Sequence, residues 1–322
     1  MTTKFGIIGL GKISSRFAKV LNTASGMALS AVASRDPERT RQFAQQFGAA
    51  KAAQSYLDVI NDPEVDIIYI GLTHNFHYEL TKMCLEQHKA VLCEKPFVTN
   101  RHDAEELVEL ASANNTLLME AMWTRCMPAF RTARAWVQEG RIGQPKLISA
   151  GFSYQGNYDP QNRLFNPELA GGSLFDVGIY PIDFATGILA ELPVSMSGEA
   201  IIAPTGVDTA AAFSLKFASG ALASLTSGFN VNALYANIYG TQGSIVLPNT
   251  SGPQWAELRD VDGETQERFE EPVADGFIYQ ILHVAELYQQ GRIESDLIPW
   301  ADTIASAGIF DDLLGQFGKK ES

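Results

Sequence analysis

Residues 4–14 of this chain read KFGIIGLGKIS, and the rest of the sequence is organised around them. Their apolar run at residues 5–8 predicts a buried strand, and the residues after Ser14 carry helical spacing. Gly9 permits a tight turn, and Gly11 has no Cβ, so a pyrophosphate can approach the backbone. The free N–H groups that open the helix would point at that phosphate. The stretch therefore predicts the first βαβ unit of a dinucleotide-binding domain, although Ser14 replaces the usual third glycine or alanine.

Composition and residue counts exclude several classes of protein. The 322 residues are 46% hydrophobic and carry a net charge of −13, which disfavours nucleic acid and anionic membrane as partners. No apolar run is long enough to span a bilayer, and no signal peptide opens the sequence. Cys84, Cys93 and Cys126 form no disulfide pattern, so we expect a cytoplasmic protein. His74 and His77 are spaced like zinc ligands but lack a third ligand, so we expect no metal.

The chain divides into two predicted domains, expected to span residues 1–122 and 123–322. In the first, strands alternate with helices, which predicts a Rossmann-type parallel sheet with helices on both faces. In the second, strands follow strands around a helix at residues 171–189, which predicts an α+β domain with a large, mostly antiparallel open sheet. The overall class is α/β, and the last helix is a candidate for packing back on the first domain.

The outer face of the second sheet predicts self-association. Apolar residues fall on both faces of its strands, such as Ala212 and Leu215, then Leu222 and Leu225. One face can pack on the domain's own helices, and the other needs cover. We therefore expect a homodimer or a dimer of dimers.

Polar side chains follow the ends of the predicted parallel strands, where open α/β sheets bind ligands. Ser34 and Arg35 end the second strand, with Arg39 one helical turn on, and hydroxyl plus guanidinium suit the 2′-phosphate of NADP. Asp36 keeps NAD open as the alternative, because a carboxylate at the ribose would favour it. The other candidates for cofactor contacts around these strand ends are Gly9, Gly11, Lys12, Ile13, Thr73, Asn75 and His77.

Five motifs together resemble the glucose–fructose oxidoreductase/inositol dehydrogenase family, written Gfo/Idh/MocA. They are GLGKIS at residues 9–14, SRDPER at 34–39, THNFH at 73–77, Glu94-Lys95-Pro96, and GGSLFDVGIY at 171–180. The resemblance covers nearly the whole chain and implies an NAD(P)-dependent oxidoreductase acting on CH–OH groups. It adds Glu94, Lys95 and Pro96 to the cofactor-binding residues, with a lysine–proline bond that is often cis and aims the lysine at the nicotinamide.

One departure places the chain within that family. Many members have histidine where this chain has Tyr180, whereas here Tyr180 occurs together with Trp123-Thr124-Arg125. This combination resembles the branch of dimeric dihydrodiol dehydrogenase and NADP-dependent D-xylose dehydrogenase, and it argues against myo-inositol chemistry. It implies that Tyr180 is the general acid/base at the crevice between the domains, taking the hydroxyl proton as hydride leaves for nicotinamide C4.

Two further predictions complete the expected site. Tyrosine ordinarily has a pKa near ~10, so a nearby Lys95 ammonium would be needed to favour the phenolate, and Asp176 would orient Lys95 or the substrate. A helix N-cap is the alternative for Asp176. We expect the substrate, a sugar, polyol or diol, to meet Trp123, Arg125 and Phe165, although packing at a domain junction explains Trp123 almost as well.

Two other functions remain open from the sequence. An NAD-dependent dehydrogenase of cyclitols or amino sugars fits the same motifs. A non-catalytic regulator that senses the cofactor also belongs to the family, but such a protein has no need of Lys95 and Tyr180 together. Their joint presence favours the enzyme.

Overall fold

The computed structural model describes residues 2–318, which form two compact units. The first unit contains the residues up to 98 together with residues 102–122 and 277–303, and the second contains the rest. The sequence predicted a second domain at residues 123–322, of which residues 277–303 belong with the first unit. Residues 319–322 of that predicted domain lie outside the described part. Among residues 2–318, no helix is both long and apolar enough to cross a membrane.

The first unit is built on a six-stranded sheet in the order β3-β2-β1-β4-β5-β6, with every pair parallel. Its strands are β1 (Thr3–Ile8), β2 (Met27–Ala33), β3 (Lys51–Ala52), β4 (Ile67–Ile70), β5 (Ala90–Glu94) and β6 (Leu118–Ala121). The helices that follow them are α1 (Lys12–Leu21), α2 (Pro37–Phe47), α3 (Tyr56–Ile60), α4 (His77–Glu86) and α5 (Arg101–Ala113). The strand order reverses between β1 and β4, which is where sheets of this kind bind ligands.

Residues 277–303 join the first unit through specific contacts. The guanidinium of Arg16 on α1 lies 3.9 Å from the ring centre of Phe277. The N–H of Leu118 on β6 donates to the carbonyl of Ile293 at 3.1 Å, and the indole of Trp300 donates to the Leu118 carbonyl at 2.9 Å. The returning chain therefore covers α1 and the edge strand β6, which chain order alone did not predict.

The second unit is built on an eight-stranded sheet in the order β14-β13-β12-β11-β7-β10-β9-β8, in which only the β7–β10 pair is parallel. Its strands are β7 (Pro145–Ser153), β8 (Pro193–Ile202), β9 (Asp208–Phe217), β10 (Leu222–Gly228), β11 (Ala233–Gly240), β12 (Gly243–Leu247), β13 (Trp255–Arg259) and β14 (Thr265–Glu270). Helices α6 (Pro128–Gln138) and α7 (Ile179–Leu189) belong to this unit. The last two helices of the chain are α8 (Phe277–Gln289), in the first unit, and α9 (Trp300–Phe317), which begins in the first unit and continues in the second. The predicted fold class, a parallel Rossmann-type sheet plus a mostly antiparallel one, is confirmed.

The two faces of the second sheet differ as their alternation predicts. Leu215 and Leu225 are buried on one face, where α7 packs on β7 and α6 on β13. Ala212 and Leu222 are exposed on the other face. One face of the sheet is thus part of the core, and the other carries exposed apolar side chains.

Candidate functional site

The glycine turn in front of α1 leaves room for a phosphate. Gly9 has a φ of +85°, and the hydroxyl of Ser14 donates to its carbonyl at 2.5 Å, so Ser14 stabilises the turn in place of a third glycine. Gly11 is the N-cap of α1 and has no side-chain capping bond, and a Cβ built on it meets nothing within 4 Å. Lys12 and Ile13 open the first turn, which contains no acidic residue. These features fit the pyrophosphate of a dinucleotide.

Two guanidinium groups lie after the end of β2, and the carboxylate beside them already accepts hydrogen bonds from the backbone. Asp36 is the N-cap of α2, and its Oδ1 accepts from two backbone N–H groups of that helix at 2.9 and 3.2 Å. The Ser34 hydroxyl donates to the Asp36 carbonyl at 2.8 Å. Arg35 and Arg39 are exposed, and the Arg35 guanidinium lies 5.4 Å from the ring centre of Phe76. The helix cap therefore competes with any ribose contact from Asp36.

The polar side chains after β4 lie in different surroundings. Thr73 donates to Asn75 at 2.8 Å in the turn before α4, where Asn75 is exposed. His77 is fully buried, with Nδ1 at 2.9 Å from the Pro96 carbonyl and Nε2 at 3.1 Å from the Leu72 carbonyl. Burial lowers the pKa of His77. The His77 ring therefore connects the backbone after β4 with that after β5, and its predicted cofactor contact stays a prediction.

Glu94, Lys95 and Pro96 lie at the end of β5. Glu94 is buried, and the Tyr69 hydroxyl donates to its Oε1 at 2.6 Å. Burial raises the pKa of Glu94, while the bond from Tyr69 opposes that rise. The Lys95–Pro96 bond is cis, and the Lys95 side chain is half-buried. The carboxylate of Glu94 thus has a hydrogen-bond partner inside the first unit, and its contact with the cofactor stays a prediction.

In the second unit, Tyr180 lies at the start of α7, directly after the π-helical turn Leu174–Gly178. The Tyr180 side chain is buried, and the indole Nε1 of Trp123 donates to its hydroxyl at 3.2 Å. The ring of Phe152 packs against it with a centroid distance of 5.3 Å. A π-helical turn is rare and often marks a functional site.

Asp176 lies within that π-helical turn and binds two residues that the sequence did not single out. Its Oδ1 accepts from both terminal nitrogens of Arg163 at 3.1 Å, and the Tyr154 hydroxyl donates to its Oδ2 at 3.1 Å. Burial and then the charge of Asp176 raise the pKa of Tyr154. Arg163 stands in a segment without regular spacing, so no sequence signal pointed to it.

Two of the three predicted substrate residues are enclosed by the second unit. Nε of Arg125 lies 2.8 Å from Oδ1 of Asp183, and another of its nitrogens donates to Thr186 at 2.9 Å. Phe165 is buried and packs on Phe229 at a centroid distance of 5.7 Å. Both side chains are covered by protein of the second unit, and their contact with substrate stays a prediction.

The parallel sheet and the open glycine turn are those of a dinucleotide-binding Rossmann domain. Residues 3–122 match the Gfo/Idh/MocA model described as oxidoreductase family, NAD-binding Rossmann fold, and residues 130–246 match the family's C-terminal domain. The chain belongs to the Gfo/Idh/MocA oxidoreductase family, which confirms the resemblance seen in the sequence.

Curated relatives span the whole chain. Trans-1,2-dihydrobenzene-1,2-diol dehydrogenase of Xenopus tropicalis is 33% identical over 333 residues, covering 99% of both chains. The enzyme of the same name from Homo sapiens is 33% identical over 331 residues, covering 99% of this chain and 98% of its own.

Two solved structures share the fold. KijD10, a 3-ketoreductase from Actinomadura kijaniata solved with NADP and TDP-benzene, has a TM-score of 0.87 at 25% identity and 98% coverage of each chain. The aldose-aldose oxidoreductase from Caulobacter crescentus has a TM-score of 0.89 at 24% identity, covering 98% of this chain and 97% of its own.

Proposed function

We propose that this oxidoreductase prefers NADP and interconverts a carbinol and a carbonyl in a diol, sugar or polyol, with Tyr180 as general acid/base and Lys95 as its partner. The relatives that span the whole chain are named diol dehydrogenases, and the ketoreductase of the same fold was solved with NADP. The observation that carries the proposal is the buried Tyr180 hydroxyl, held at 3.2 Å by an indole N–H. That placement suits a proton-transfer group better than a packing side chain.

The residues of the first unit would hold the cofactor. The backbone at Gly9 and Gly11 would meet the pyrophosphate, and Arg35 with Arg39 would meet a 2′-phosphate. When bound, the nicotinamide supplies the hydride acceptor for oxidation and the hydride donor for reduction. Lys95 would donate a hydrogen bond to the reacting oxygen.

Tyr180 would move the proton. In oxidation, its phenolate oxygen takes the proton of the substrate hydroxyl, and in reduction the phenol returns that proton to the carbonyl oxygen. Asp176, held by Arg163 and Tyr154, would accept a hydrogen bond from a second substrate hydroxyl, which is a group that diols and sugars share.

The substrate wall that we propose differs from the predicted one. The ring of Phe152 lies 5.3 Å from that of Tyr180 and 6.3 Å from that of Tyr154, as centroid distances. Aromatic side chains next to Tyr180 suit a planar ring or the C–H face of a sugar. This wall takes the place of Arg125 and Phe165.

Replacing Tyr180 by Phe tests the proposal. A positioned acid/base contributes about 10²–10⁴-fold, so turnover should fall by that factor while cofactor affinity is kept, because the ring remains. Tyr154→Phe is the matched control, since it also removes one phenolic oxygen and keeps the ring, and its turnover should fall less than that of Tyr180→Phe. Turnover with both cofactors and a panel of diols and aldoses is followed by the absorbance of reduced nicotinamide. Near-normal turnover in Tyr180→Phe would remove Tyr180 from the mechanism.

For the assembly, we propose a homodimer, or a dimer of dimers, joined through the exposed face of the second sheet. Leu147 pairs in register with Leu222 on one side and Tyr239 on the other, and all three are exposed. A row of large apolar side chains across three strands favours a covering partner. Light scattering should give a dimer mass that Leu222→Lys reduces, while Val261→Lys, at another exposed apolar position, should not. A monomer mass at micromolar concentration contradicts this proposal.

A further inference from the structure

Trp123 is held in a space that two glycines leave open. A Cβ built on Gly252 would overlap the indole ring, and one on Gly276 would lie 2.7 Å from its Cζ3. Gly252 has a φ of +116°, so its backbone also favours glycine. The indole is buried and cannot turn without displacing these segments. Its ring orientation is therefore fixed by packing.

The same turn is attached to α7 at a second point. Trp123 and Arg125 both belong to the 3₁₀ turn Trp123–Cys126. Nε of Arg125 lies 2.8 Å from Oδ1 of Asp183, three residues beyond Tyr180 on α7. Two links thus connect the turn to the first part of the helix, and one of them ends on the Tyr180 hydroxyl.

Indole chemistry decides which group donates the hydrogen bond between Trp123 and Tyr180. The Nε1–H of tryptophan can only donate, so the phenolic oxygen of Tyr180 is the acceptor. A phenol keeps its own proton for another partner, whereas a phenolate accepts the indole N–H more strongly, since bonds to charged groups are about twice as strong as neutral ones. The bond therefore favours the deprotonated form.

We infer that Trp123 is a positioning residue that stabilises the phenolate of Tyr180 and fixes the direction of its oxygen. This inference rests on the proposed role of Tyr180. The proton still moves between the substrate hydroxyl and the Tyr180 oxygen, and the indole N–H keeps its own proton throughout.

Other titratable groups near Tyr180 must stay unchanged in the test. They are Asp176 on the preceding turn with its partners Arg163 and Tyr154, and the Arg125–Asp183 pair, whose aspartate lies on the same helix. A shift seen on changing Trp123 alone then reports the indole bond.

The test compares pH profiles of turnover for oxidation in the unaltered enzyme and in Trp123→Phe. Losing the donor should raise the apparent pKa of the acidic limb by about one unit, because a charged acceptor loses more than a neutral one. Cofactor affinity should be unchanged. A second variant carries 3-benzothienylalanine at position 123, which keeps the shape of indole but has no N–H, and it decides the question if Trp123→Phe is poorly folded. If the benzothienylalanine variant is folded and the apparent pKa of its acidic limb is unchanged, the inference is overturned.

Phe152→Leu provides the matched control. Phe152 packs on the same tyrosine ring at 5.3 Å but gives its hydroxyl no hydrogen bond, so this variant can lower turnover without moving the acidic limb. An equal shift in Phe152→Leu would assign the effect to packing and overturn the inference. Tyr180→Phe separates the two proposals. If it retains normal turnover, the proposed function fails, and if it is inactive while the Trp123 variants keep the original limb, only the inference fails.

Discussion

Nε of Arg125 lies 2.8 Å from Oδ1 of Asp183, and the two side chains are only 1% and 4% exposed. A second nitrogen of Arg125 donates to the Asp183 carbonyl at 3.1 Å, so the guanidinium joins the turn before α6 to α7. Burying both charges is costly, but removing one leaves the other without compensation. Arg125 is therefore a stabilising residue of the second unit.

Arg125→Met should lower the free energy of unfolding by about 3–5 kcal/mol, the usual effect of breaking a buried ion pair. Urea denaturation followed by circular dichroism measures the change. The double variant Arg125→Met/Asp183→Leu should recover much of the loss, because it removes the orphaned carboxylate as well. Unchanged stability together with a raised KM for substrate would return Arg125 to the substrate site.

Local chemistry explains what the sequence predicted well. The turn at Gly9 and the alternation of strands and helices depend on neighbouring residues, so the two signals together indicate the Rossmann-type sheet. Long-range packing decides the rest. The return of residues 277–303 to the first unit depends on contacts such as that of Arg16 with Phe277, 261 positions apart along the chain. Nothing in the local pattern of either segment indicates it.

Long-range packing also decides where the site side chains point. A charged or aromatic residue after a strand gives the same local signal whether it faces a ligand or the protein interior. Arg125 and Phe165 face the interior, while Asp176 is bound by Arg163 and Tyr154, which lie 13 and 22 residues away. Only the tertiary structure distinguishes these cases.

Glu94 should make stability depend on pH in a defined direction. Burial raises the pKa of Glu94, so the folded protein holds this proton more tightly than the unfolded chain does. The stability that the folded protein gains from holding this proton is complete below the ordinary pKa of about 4.3. It is lost as the pH rises through the raised pKa of the folded state. Glu94→Gln keeps an acceptor for Tyr69 and removes the titration. Its Tm relative to the unaltered protein should therefore increase between about pH 4 and pH 7.

The Glu94 experiment uses the protein without cofactor and follows Tm by scanning calorimetry. Glu86→Gln, at an exposed position in the same unit, controls for the loss of one negative charge. A Tm difference that stays constant with pH, or that matches Glu86→Gln, would contradict the assigned cause.

Arg35→Ala should raise the KM for NADP far more than the KM for NAD. The Asp36 carboxylate accepts hydrogen bonds from two backbone N–H groups of α2. The exposed Arg35 is therefore the charged group that we propose for the 2′-phosphate. A charge-assisted bond is worth about 1.5–3 kcal/mol, which corresponds to a roughly 10–100-fold change. Arg41→Ala is the control, because Arg41 lies on the same helix but pairs with Glu38. Equal effects of Arg35→Ala on both cofactors would remove the phosphate role.

Lys95 and Tyr180 should behave as one catalytic unit. In the proposed mechanism, Lys95→Met would remove both a hydrogen bond to the reacting oxygen and the positive charge that favours the phenolate, so turnover should fall at least as far as in Tyr180→Phe, by about 10²–10⁴-fold. The double variant should be little worse than the poorer single one, because residues that act together are not additive. Steady-state turnover of all four proteins gives the cycle, and cofactor fluorescence titration separates lost chemistry from lost binding. If the two losses instead multiply in the double variant, Lys95 and Tyr180 act independently, and the lysine then serves the cofactor alone.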